Sequence, residues 1–260
     1  MQKDTTSKQP PRVKVVFKAG RGNLGGTTTL ALLAERALNA GRPVLMADAD
    51  VRNQGISQFK PLYDQCGIGL PASDSQHDVQ NYLSKSFARA LTEKKSVFID
   101  VGGGDRTLEE WTKRTQIEQI TTSMGIEVIA VFMCGIDSGD IDYIVNLWNN
   151  GGFRPQKSLI VFNQNAVPMG QDASKFIKAI SVDARFDKMR KETDLEFVSL
   201  QANPFMNEVK ASGLTFHEAA RRVGHSKPST LDPLSEAVTG LWIDNFEKNL
   251  VEQDVVSWLP

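Results

Sequence analysis

Residues 20–28, Gly-Arg-Gly-Asn-Leu-Gly-Gly-Thr-Thr, constrain this chain more tightly than any other segment. Val13 to Phe17, just upstream, reads as a short buried strand. Downstream, Thr28 to Ala40 carries Leu30, Leu33, Ala34, Ala37 and Leu38 at helical spacing. A glycine-rich turn between a buried strand and an amphipathic helix lets successive backbone N–H groups converge on a phosphate at the helix N-terminus. In the pattern G-x-x-x-x-G-K-[ST], the lysine reaches the terminal phosphates and the hydroxyl holds Mg²⁺. Gly20, Gly25 and Thr27 occupy their places, with Gly22, Asn23, Leu24 and Thr28 completing the loop, but Gly26 stands where the lysine belongs.

The rest of the chain alternates strand and helix patterns. Strands are expected at 13–17, 43–48, 96–100, 126–133, 158–162 and 195–200. Helices are expected at 27–40, 76–94, 107–123, 138–149, 171–180, 204–211, 215–222 and 233–250, with long loops at 64–75 and 223–233. Continuous apolar strands between amphipathic helices predict an α/β fold of the P-loop NTPase type, with a mostly parallel twisted sheet covered by helices on both faces. Residues 1–11 are polar and end in two prolines, so they read as a disordered lead-in. Residues 12–260 then form a single domain.

Two further segments bring carboxylates to the same sheet edge as the loop. The second strand ends in Asp48-Ala49-Asp50, and the third in Asp100-Val101-Gly102-Gly103-Gly104. Ligands of open α/β sheets bind at the carboxyl ends of the strands, where such groups orient water or hold a divalent cation. Read singly, the first segment is more simply a solvated acidic turn, and the second is equally a flexible glycine turn.

Taken together, these elements resemble the ParA/MinD superfamily of partition and positioning ATPases, whose loop runs Lys-Gly-Gly-x-Gly-Lys-[Ser/Thr]-[Thr/Ser]. Arg21 to Thr28 aligns to it without a gap. Pro43 to Asp50 is similar to its second strand and switch I, and Phe98 to Gly104 to its Walker B strand and switch II. Leu159 to Asn163 looks like the strand ending in an adenine-reading Asn, and Asn203 to Leu214 like the late Pro-containing loop and helix. The resemblance covers roughly residues 12–220, and the order of the motifs makes it specific. It implies ATP or ADP with Mg²⁺ as cofactors. Thr27, Asp48 and Asp100 would stand at the metal, Asp50 as the switch I carboxylate, Gly103 or Gly104 at the γ-phosphate, and Asn163 and Pro204 at the base. The family's signature lysine corresponds to Arg21, whose guanidinium would act across a homodimer.

Gly26 departs from that pattern. Without its ammonium, binding and turnover are expected to be weak unless Lys18, Arg21 or Arg52 fills the gap. The function implied is a nucleotide switch in plasmid or chromosome partition, DNA transfer or subcellular positioning, with impaired hydrolysis. The alternative is a pseudo-ATPase adaptor that no longer binds nucleotide. A protein partner or cargo adaptor is expected in either case.

Composition narrows the remaining partners. A net charge of −1 gives no global pull toward polyanions, so any DNA binding must be non-specific and local, on basic residues such as Arg185, Lys188, Arg190, Arg221 and Arg222. The interleaved acids favour a mixed solvated face. Cys66 and Cys134 read as ordinary thiols, and His77, His217 and His225 lack a catalytic or metal-binding companion. No run of about eighteen apolar residues exists, and the C-terminal helix is acidic, so no membrane association and a cytoplasmic location are expected. That helix reads as docked on the domain or as a partner-binding element, with Trp242 or Trp258 as an exposed anchor.

Overall fold

The computed structural model describes residues 12–102 and 106–260. Six strands, β1 (Lys14–Ala19), β2 (Val44–Asp48), β3 (Ser96–Asp100), β4 (Glu127–Cys134), β5 (Lys157–Asn163) and β6 (Asp194–Leu200), form one sheet in the order β2-β3-β1-β4-β5-β6. Every pairing is parallel. Parallel neighbours require crossovers, and the intervening segments supply them as helices. These are α1 (Gly26–Asn39), α2 (Lys60–Cys66), α3 (Gln76–Glu93), α4 (Arg106–Thr115), α5 (Ile117–Ser123), α6 (Ser138–Asn149), α7 (Ala173–Ser181), α8 (Asp187–Glu192), α9 (Met206–Ser212), α10 (Phe216–Ala219) and α11 (Pro233–Glu252).

Strand alternation divides the core into two layers. Val15 and Phe17 of β1 face one side, where they meet residues of α3 to α8, while Val16 faces the other, against α1, α2, α9, α10 and α11. Phe17 lies at the centre of an aromatic cluster, with ring centroids 5.3 Å from Phe153, 5.8 Å from Phe87 and 6.1 Å from Trp111. On the opposite side, the buried carboxylate of Glu35 on α1 accepts from the backbone N–H groups of Phe216 (2.9 Å) and His217 (2.8 Å). It thereby satisfies the first amides of α10 and ties that helix to α1.

Register places the charged ends of three strands side by side. Lys18 of β1 is level with Asp100 of β3, and Asp100 with Asp48 of β2. The sheet order turns at β1, with β3 and β2 built outward on one side and β4 to β6 on the other. A crevice above the carboxyl end of the central strand follows from that topology.

Some local expectations change. The helix expected over 107–123 is two helices, because Gln116 adopts a left-handed conformation (φ 48°) that redirects the chain and turns Ile117 into the core. The last expected turn of 215–222 is cut short after Ala219, and Arg221 is also left-handed (φ 53°). Trp242 is buried, not exposed: its ring packs edge-on against Phe216 and its Nε1–H donates to Gln201 O at 2.9 Å. Trp258 is half-buried, with Lys157 Nζ 5.5 Å from its ring centroid. No helix among the described residues is long and apolar enough to cross a membrane.

The candidate basic residues fall into two groups, and the arginines among them are paired with carboxylates. Phe186 and Met189, which flank Arg185, Lys188 and Arg190, belong to the layer under α3 to α8. Ala219 and Ala220, next to Arg221 and Arg222, belong to the opposite layer. Arg185 pairs with Asp183 and Asp142, Arg190 with Asp187, Arg221 with Glu236, and Arg222 with Asp244. Cys66 and Cys134 are buried free thiols, and burial pushes both up to about 12, well away from reactivity.

Candidate functional site

The loop between β1 and α1 is held by backbone geometry that only part of its sequence could supply. Gly25 is left-handed (φ 76°) and immediately precedes α1, and no side chain caps that helix. A Cβ at Gly25 would lie 2.7 Å from Asn163 Nδ2, so glycine is required there by both conformation and space. Asn23 is left-handed as well (φ 64°), a conformation Asn tolerates. Asn163, at the end of β5, donates from Nδ2 to Leu24 O (2.9 Å), and its Oδ1 accepts from Asn165 N–H (2.9 Å). Both ends of its amide are thus committed to loop backbone, so in this structure Asn163 braces the cradle as well as lining the cleft.

Beneath the loop lies a compact charge cluster. Thr27 Oγ1 donates to Asp100 Oδ2 at 2.7 Å. Lys18 Nζ donates to Val101 O at 2.8 Å and lies 2.7 Å from Asp100 Oδ1, an oxygen that is fully buried and receives no aligned hydrogen bond. The lysine and the carboxylate are both buried, so each needs the other as counter-charge. Lys18 also accounts for Gly26. A Cβ built at position 26 would collide with Lys18 Cε and lie 2.9 Å from its Cγ and 3.0 Å from Met133 Cγ. The space beside Gly26 is therefore filled by the stem of Lys18.

Asp48 and Asp50 do different work. Asp48 is completely buried, and its two oxygens accept from the N–H groups of Ser57 (3.0 Å) and Asp50 (3.3 Å). Burial is the main reason its carboxyl is raised to about 6. Asp50 lines the cleft, accepts from Asn53 N–H at 3.0 Å and faces Gly102. Arg21 also lines the cleft, but its guanidinium turns to Asp137 (2.9 Å) and Asp140 (3.3 Å) at the start of α6, and those partners raise its already high pKa. Pro204 lies on the far wall. Gly103 and Gly104 lie outside the described residues.

The cleft has a volume of about 1210 Å³. Its lining includes the loop residues Gly22, Asn23, Leu24, Gly25, Gly26, Thr27 and Thr28. The lining also includes Phe59, Met206 and the buried Leu200, Leu214, Phe216 and Trp242, interleaved with Gln201, Asn203, Asn207 and Lys210. Amides of an uncapped helix start opening into a cleft of mixed polar and apolar lining suit a phosphate joined to a larger organic body.

The residues fit a phosphate better than a directly held divalent cation. Among the described residues no three His, Cys, Asp or Glu side chains are grouped to hold a metal ion. Of the three side chains expected at the metal, Thr27 reaches the cleft. Asp48 is turned to backbone amides, and Asp100 already carries an ammonium and a hydroxyl proton.

The role of Lys18 as the partner of Asp100 was the main feature absent from the motif. One signal for it stood in the sequence: a lysine inside the apolar run Val15-Val16-Phe17-Lys18-Ala19 must find a buried partner. The lining from Phe59, Phe216 and Trp242 comes from segments distant in sequence and carries no motif.

No family model matches the sequence, and no curated protein does. Solved structures do. The signal recognition particle receptor FtsY from Elizabethkingia anophelis, in complex with GDP, is 15% identical with a TM-score of 0.50, over 70% of this chain and 57% of its own. The cell division protein FtsY from Thermotoga maritima is 17% identical with a TM-score of 0.51, over 75% of this chain and 63% of its own. The chain has a P-loop α/β fold. It spans about three-fifths of the length of those neighbours, and at this identity the likeness is one of fold.

Proposed function

We propose that the protein is a nucleotide-binding switch of the ParA/MinD type, with weak or partner-dependent hydrolysis. The observation that carries the reading is the uncapped start of α1 behind left-handed Gly25, opening into a cleft of about 1210 Å³. Backbone amides and the positive end of the helix dipole supply the phosphate affinity. Adenine nucleotide is the ligand that the ordered motifs suggest. The GDP bound to the Elizabethkingia FtsY makes guanine nucleotide the comparison to run beside it.

Weak turnover follows from two features. Position 26 carries no cation, and Arg21 is held by Asp137 and Asp140 on its own chain. In the switch reading, nucleotide frees Arg21 to contact a second copy, the resulting homodimer engages a protein partner or cargo adaptor, and hydrolysis reopens it. Any association with DNA is non-specific, since the candidate arginines already hold carboxylates. The pseudo-ATPase reading has one observation in its favour: the place of the loop lysine is closed by the stem of Lys18. Calorimetric titration of the whole chain with ATP, ADP, GTP and GDP, alongside light scattering for mass, separates the two. Saturable binding with a nucleotide-dependent rise in mass supports the switch. No heat with any of the four supports the adaptor.

A further inference from the structure

We propose that Lys18 is the phosphate-site cation of this loop, delivered from β1 in place of a lysine on α1, and that it lets the cleft hold a nucleotide phosphate without a divalent metal. The inference rests on reading the cleft as a nucleotide site and adds which charge operates there.

The argument starts from space. A side chain at position 26 and the stem of Lys18 compete for one volume, because a Cβ at Gly26 collides with Lys18 Cε. A lysine can enter from the strand or from the helix, not from both. Gly26 is then the complement of Lys18, and the loop has relocated its cation rather than lost it. Charge continues the argument. The ammonium lies 2.7 Å from Asp100 Oδ1, and Thr27 donates to Asp100 Oδ2 at 2.7 Å, so this buried carboxylate is neutralised from within the chain. A carboxylate in that condition has no unmet demand for a second positive charge. Geometry completes it. Lys18 Nζ is anchored by Val101 O and Asp100, and the residue borders the cleft beside Gly26 and Thr27. An ammonium has three donors, and with one on Val101 O and Asp100 as counter-charge it keeps a donor for an anion seated on the α1 amides.

The test uses the whole chain and two probes, fluorescent ADP and fluorescent GDP, each titrated in excess Mg²⁺ and again in EDTA. Binding by the native protein is expected to change less than about twofold between the two conditions. Lys18→Met keeps the stem and removes the charge. It is expected to weaken binding roughly tenfold to a hundredfold in EDTA, the scale of one charge-assisted hydrogen bond, and part of that loss should return with Mg²⁺ as Asp100 gains a new counter-ion. If Lys18→Met does not fold, Lys18→Met/Asp100→Asn removes both buried charges and carries the test, with weak binding that Mg²⁺ leaves unchanged. Native binding that requires Mg²⁺, or a folded Lys18 variant that binds as tightly as the native chain in EDTA, overturns the proposal while leaving the cleft a nucleotide site. Absence of binding to either probe in both conditions overturns the nucleotide reading and this inference with it.

Discussion

Replacing Gly26 by Ala puts the smallest side chain into the space that Lys18 occupies. On an isolated helix this change is favourable by up to about 1 kcal/mol, and the backbone at Gly26 is not in the left-handed region. Here the new Cβ meets Lys18 Cε and Cγ, with Met133 Cγ at 3.0 Å. Overpacking of that kind costs about 1–3 kcal/mol. Pushing the lysine away from Asp100 would add part of the roughly 3–5 kcal/mol lost when a buried pair is broken. Because the lysine stem can bend before the pair breaks, the expected net loss is about 2 kcal/mol. In a Lys18→Ala/Asp100→Asn background both the stem and the unpaired charge are gone, and Met133 can adapt. There Gly26→Ala is expected to be neutral or slightly stabilising, leaving a coupling of about 2 kcal/mol between positions 18 and 26. Urea denaturation followed by tryptophan fluorescence measures it, since Trp111, Trp148 and Trp242 are buried and report on both layers. Equal losses in the two backgrounds, within about 0.5 kcal/mol, would refute the claim that Lys18 fills the space beside Gly26.

Asp48 gives a pH signature. Its folded pKa of about 6 lies above the ordinary value of 3.8, so the stabilising proton is fully present below about pH 4 and is lost as pH rises through 6. The unfolding free energy from urea denaturation should fall by up to about 3 kcal/mol between about pH 3.5 and about pH 7, and Asp48→Asn should flatten that fall. Asn163→Ala removes the brace between β5 and the loop. It should cost about 1–3 kcal/mol of stability in the same denaturation assay and weaken nucleotide binding in a fluorescence titration, because Leu24 O and Asn165 N–H lose their partners. Arg21→Ala should change stability by less than about 1 kcal/mol, as its guanidinium and Asp137 are exposed and its contact with buried Asp140 is a long 3.3 Å, yet abolish any nucleotide-dependent increase in mass by light scattering.

The sheet was legible because each strand is a short apolar run closed by a polar residue. Ser96 to Asp100 is the clearest case, and its observed limits coincide with the expected ones. Segments governed by a single backbone conformation were not legible. Gln116 breaks a continuous amphipathic pattern through a left-handed turn that glutamine does not advertise. Lys60–Cys66 and Asp187–Glu192 are too short for periodicity to identify. At the site, Gly25 and Thr27 were readable because their chemistry is local to the loop. The Lys18–Asp100 pair depends on the register of β1 against β3, which only the assembled sheet provides. Trp242 was misread for a related reason: its helix packs on β6 and α10, leaving Leu241 outside and turning the tryptophan inward.

The most direct test of the account is whether the amide cradle at the start of α1 binds the phosphates of a nucleotide. Calorimetric titration of the native chain and of Gly25→Val with ADP and GDP, each repeated in the presence of pyrophosphate, measures this. Valine cannot adopt the left-handed conformation of Gly25 without strain, and its Cβ would press on Asn163. The account predicts one-site binding of at least one nucleotide to the native chain, competition by pyrophosphate, and loss of the heat in folded Gly25→Val. Titrations without heat for both nucleotides, or binding that Gly25→Val leaves undiminished, would contradict it.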